Sequence, residues 1–168
     1  MKKLEVSLNI LHYCIYRAHY NLHLLANKIN PFNLIHKLPF QKRKYEELGI
    51  DIHKEINKAF GDKDNGLSIM VAGGVLFGVL FFLLFAITKI LMSAINNGTV
   101  LSAGYFIAFG FLSLIVCYLF VFKKDKYLAY FKDFESWTKG ENRKYGWISF
   151  VFIVAVFLMF LVSLSWHR

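Results

Sequence analysis

Three long apolar runs dominate the pattern along this chain: Leu67–Ile95, 100–122 and 145–166. Each exceeds the roughly 18 consecutive apolar residues needed to cross a hydrocarbon core of about 30 Å. Within them the only side chain that would carry charge is Lys89, near the end of the first. A core helix of a water-soluble protein keeps a polar stripe, and these runs have none. The pattern predicts an all-α integral membrane protein with three transmembrane helices.

The N-terminal pattern is different. Leu4, Leu8, Leu11, Ile15, Ala18, Leu22, Leu25 and Ile29 follow one another in alternating steps of four and three, an apolar stripe down one helix. Asn30-Pro31 stops it, because proline disfavours the helical conformation of the residue before it. Tyr13, Tyr16, Tyr20 and the histidines lie off the stripe. Such a helix lies flat in the headgroup region or packs on a partner helix. It does not read as a fourth span, since Arg17 at the bilayer centre would cost about 2.5–3.5 kcal/mol. Nor does it read as a signal peptide, having Glu5, Asn9, His12 and Arg17 where a clean apolar segment is needed.

Residues 32–40 read as a short apolar linker between two prolines, followed by the basic knot Gln41-Lys42-Arg43-Lys44. Asp51 has the position of an N-cap for a short helix carrying Ile52, Ile56, Ala59 and Phe60 on one side. The segment 61–66 ends that helix and leads into the first span. Residues 1–66 thus form an amphipathic helical region, too small for a core of its own. Between the second and third spans, 123–144 places Tyr127, Tyr130, Phe131, Phe134 and Trp137 at helical spacing, which predicts an amphipathic loop helix at the interface. Trp147 and Trp166 mark the two interfaces of the third span.

Composition sharpens this picture in one respect. The chain of 168 residues is 57% hydrophobic with a formal charge of +9, and the charge is unevenly placed. Eleven of the 20 Lys and Arg precede Leu67 and seven lie in 123–144, whereas the link Asn96-Asn97-Gly98-Thr99 carries none. By the positive-inside rule the N-terminal region and the second link are cytoplasmic and the C-terminus is outside. The first run is long enough to tilt and to let Lys89 reach outward. The basic residues suit anionic lipids, and no stacking module or recognition helix points to nucleic acid. The Lys-, Ile-, Asn- and Phe-rich composition points to a bacterial inner membrane.

Candidate chemistry is sparse, and no catalytic, metal or cofactor site is expected. Cys14 and Cys117 have no motif around them. His19 and His23 share a helix face without a convincing third ligand. Asp133 and Glu135, two apart on a helix, fall on different faces. The small-residue pairs Gly74 with Gly78 and Gly104 with Ala108 would let helices approach closely, within one chain or between chains. Two functional expectations follow. One is a non-enzymatic protein that self-associates and acts as a pore-forming or membrane-perturbing effector. The other is a small subunit, anchor or immunity protein that binds another membrane protein.

Overall fold

The computed structural model describes residues 2–31, 33–36, 38–95 and 101–165. All regular structure among them is helical: α1 (Lys2–Ile29), α2 (Asn33–His36), α3 (Pro39–Glu47), α4 (Ile52–Gly61), α5 (Leu67–Ile95), α6 (Ala103–Cys117), α7 (Lys126–Glu135) and α8 (Lys139–Ser165). Three helical runs, α5, the one that begins at Ala103 and α8, are long and apolar enough to cross a membrane. This is an all-α membrane protein with three candidate spans. The link 96–99 and Trp166 lie outside the described residues.

The chain divides into two units, one of Met1–Ile15 with Gly73–Arg168 and one of Tyr16–Ala72. In the first, the spans meet through phenylalanine. Phe85, Leu101 and Phe109 are buried, with Phe81, Leu84, Met92 and Phe160 packed around them. Phe160 of α8 lies 4.5 Å from Phe82 and 5.3 Å from Phe85, centroid to centroid. Lipid tails are as apolar as these rings, so interlocking shape and dispersion hold the helices together rather than escape from water. Lys89 does not reach outward: it is 6% exposed. It follows Phe85 and Ala86 by four and three residues, so it shares their helix face, and that face is the buried one.

The second span ends in a wide π turn, Tyr118–Phe122, and a tight 3-10 turn, Lys123–Asp125. Lys124 and Asp125 both have left-handed backbones, φ 59° and 52°. Each such residue other than glycine costs about 1–2 kcal/mol. This reversal separates the span from α7. The third helix starts earlier than its apolar run, at Lys139, because Thr138 and Glu141 close a capping box. The Thr138 amide and hydroxyl donate to Glu141 Oε2, both at 2.8 Å, and the Glu141 amide donates back to Thr138 Oγ at 3.3 Å.

In the second unit, Asp51 caps α4, its Oδ1 accepting from the amides of His53 and Lys54 at 3.1 Å. The basic knot, to which the sequence assigned no element of its own, is the body of α3, which takes proline in its first turn. That helix ends in a Schellman motif. The Ile50 amide donates to the Tyr45 carbonyl and the Gly49 amide to that of Glu46, with Gly49 at φ +63°.

Candidate functional site

The densest polar constellation in the first unit lies where α1 meets the end of the second span. The last carbonyls of a helix have no partner within it. Asn9 supplies one from outside: its Nδ2 donates to the Phe120 carbonyl at 3.0 Å and to the Glu5 carbonyl at 2.8 Å. Lys126, in the first turn of α7, donates from Nζ to the Leu119 carbonyl at 3.4 Å and to Glu5 Oε2 at 3.0 Å. Tyr130 adds a hydroxyl bond to Glu5 Oε1 at 3.2 Å. The Lys126 hydrogen bond holds the Glu5 carboxyl below its ordinary pKa, partly opposed by desolvation. Next along the same face His12 is fully buried, its ring 5.4–5.6 Å from those of Phe122, Tyr127 and Phe131. Tyr13 continues the aromatic contact onto Phe131, Phe134 and Trp137.

Glu5, Asn9 and His12 are spaced by four and three, so they form a second stripe, displaced by one residue from the apolar one. In the second unit Tyr16, His19 and His23 continue that register. Tyr16 donates its hydroxyl to the Gly61 carbonyl at 2.7 Å. His19 Nδ1 lies 3.0 Å from Ser68 Oγ, and His23 Nε2 lies 3.3 Å from Asn57 Oδ1. The His23 ring stacks on Phe60 at 3.6 Å. Both histidines thus hold packing partners. Among the described residues no three His, Cys, Asp or Glu side chains come together to hold a metal.

The apolar stripe is used only in part. Leu8, Leu11 and Ile15 are buried, while Leu4, Leu22, Leu25 and Ile29 are exposed, Ile29 at 76%. The polar and aromatic face packs as well, Asn9, His12, Tyr13 and Tyr16 being buried, because rings offer large contact area and Asn9 satisfies a span-end carbonyl. Of the interfacial residues on the loop helix, Tyr127, Phe131 and Phe134 are buried and Tyr130 is half-buried. They meet α1 in this unit, and lipid contact is not what covers them. Trp137 stacks between Phe134 and Tyr145 at 4.4 and 4.5 Å. Trp147 is exposed.

The small residues are placed differently from close packing within the chain. A Cβ built on Gly74 or Gly78 would meet nothing within 4 Å among the described residues, and one on Gly104 would meet only Ser102 Oγ. Gly74, Gly104 and Ala108 are exposed. The close approach is made one residue earlier, at Gly73, where a Cβ would stand 3.1 Å from Phe122 Cζ. Sequence reasoning missed Asn9, Glu5 and Lys126 as a unit, and the signal available for the first two was the second stripe, offset by one residue from the apolar one.

No family model matches this chain, and no curated protein or solved structure is significantly similar to it.

Proposed function

We propose that the protein is a non-enzymatic three-pass membrane protein that acts by binding within the bilayer, as a small subunit, anchor or immunity-type partner of another membrane protein. The observation that carries this reading is the exposure of Gly74, Gly104 and Ala108, with open space over the half-buried Gly78 among the described residues, which leaves span surfaces smooth enough for a second helix to approach backbone to backbone. The ionisable side chains at the span end are engaged inside the chain, Glu5 with Lys126 and Tyr130. The outward faces of α6 and α8 are instead built from side chains such as Phe111, Ile115, Phe157 and Leu161. Such surfaces suit protein or lipid contact rather than a water-filled path. The concentration of Lys and Arg in the N-terminal region and the second link supports a cytoplasmic location for both, with the C-terminus outside, and the proposal takes a bacterial inner membrane as the setting.

The test is co-purification from native membranes with Gly74→Leu and Gly78→Leu together. Loss of a co-purifying chain, with the monomer's thermal stability intact, supports the reading; undiminished recovery counts against it. The self-associating, membrane-perturbing reading draws on the same smooth faces. It requires dye or ion leakage from cells expressing the protein, and an intact membrane potential under strong expression would exclude it.

A further inference from the structure

A crevice of about 460 Å³ opens in the first unit between α1, α5 and α8. Its walls are Leu4 and Leu8 of α1, Leu80 and Leu83 of α5, and Ile148 and Phe152 of α8. Leu80 and Leu83 sit near the midpoint of α5, so the crevice runs from the α1 side of the bundle toward the middle of a candidate span. A concavity of this size, apolar along its length with a few polar groups, has the make-up of a ligand site. At membrane depth an acyl chain is the apolar solute at hand to fill it.

Its polar lining is Ser7, Tyr145 and the buried Ser149. Ser7 lines the crevice and also a neighbouring shallow hollow formed with Lys2, Lys3 and Val6. Tyr145 lines the crevice too, and the Lys144 ammonium sits 5.7 Å from the centre of its ring. The carboxylates closest in sequence to these lysines hydrogen-bond elsewhere, Glu5 with Lys126 and Tyr130 and Glu141 with Thr138, and keep only a through-space attraction to them, Glu5 to Lys2 and Glu141 to Lys144. The rim is therefore cationic, with hydroxyls that can donate to an anion.

We propose that this crevice binds one anionic phospholipid, an acyl chain lying along Leu80, Leu83 and Phe152 and the phosphate held at the rim by Lys2, Lys3 and Ser7. Three complementary features carry the assignment: an apolar slot reaching into the span, a hydroxyl where the slot meets the hollow, and cations beside it. The site is distinct from the smooth faces of Gly74 and Gly104 and stands whether or not those faces bind a protein.

The experiment is native mass spectrometry of the full chain released from nanodiscs made with equal parts phosphatidylglycerol and phosphatidylethanolamine. The expected result is one retained phosphatidylglycerol per chain. Ser149→Trp, which fills the slot from α8, should strip that lipid, while Val151→Trp on the exposed side of the same helix should keep it. Lys2→Glu with Lys3→Glu changes two exposed side chains that do not line the slot, Lys2 also attracting Glu5. It should reduce the preference for phosphatidylglycerol roughly tenfold or more. Retention unaffected by Ser149→Trp, a lipid ratio equal to that supplied, or a preference unchanged by charge reversal would each overturn the proposal. So would a second protein copy in place of the lipid.

Discussion

Asn9 Nδ2 donates to the carbonyl oxygen of Phe120 at 3.0 Å, joining residues 111 positions apart. The bond falls where the second span has run out of helical partners and the chain reverses through two left-handed residues, Lys124 and Asp125. It ties the N-terminal helix to the span bundle and compensates part of the cost of that reversal.

Replacing Asn9 by leucine should destabilise the chain by about 1–3 kcal/mol, because the Phe120 carbonyl loses its donor in a buried setting. Asn9→Asp should be at least as damaging, since a carboxylate cannot donate to either carbonyl. Thermal unfolding in mild detergent measures both, and a melting temperature unchanged in either variant would contradict this role.

Glu5 gives the same junction a pH dependence. Its folded pKa lies below the ordinary value of 4.5, chiefly because Lys126 donates to it. The ionised carboxylate therefore contributes stability that is fully present above about pH 4.5 and is lost as pH falls through the lower folded value. Thermal melts of the wild type and Glu5→Gln should diverge at neutral pH and converge on acidification. A constant difference across that window would rule the linkage out.

The spans were legible because apolar length alone specifies them, and so was the Asp51 cap, which needs only one residue at the right position. The α1 stripe was legible as a pattern but not as an interface. Leu22 and Ile29 fit the repeat as well as Leu8 does, yet they are exposed and Leu8 is buried. Periodicity says which residues share a face; it cannot say which face meets a neighbour. Similarly, Gly73, Gly74 and Gly78 look alike in sequence, and only the seat of Phe122 tells them apart. The capping box of Thr138 and Glu141 could have been read directly, and it accounts for the early start of α8.

That distinction among glycines is testable. Gly73→Leu should cost about 1–3 kcal/mol, since its side chain must displace Phe122 from a packed site. Gly78→Leu, pointing where no described residue stands within 4 Å of a Cβ, should leave monomer stability unchanged. Equal losses in the two variants would refute the placement.

In the second unit Gly49 occupies a left-handed position at φ +63°, closing the end of α3. Gly49→Ala should cost about 1–2 kcal/mol locally. Hydrogen exchange should then speed up at the Ile50 amide, which bonds to the Tyr45 carbonyl, and leave the spans' amides unaffected. Uniform loss of protection throughout the chain would argue against a local cap.

Because Glu5, Asn9 and His12 are part of the packed junction, deleting residues 1–30 would damage the fold as well as any docking surface. The exposed residues Leu22, Leu25 and Ile29 are the better probes of docking. The most direct test of binding within the membrane is native mass spectrometry of the tagged chain, extracted gently from its own host. The proposal predicts a defined complex with a second membrane protein, weakened by the Gly74→Leu and Gly78→Leu pair. A chain recovered solely as a monomer would contradict it, and a closed ring of identical copies would replace it with the self-assembling effector.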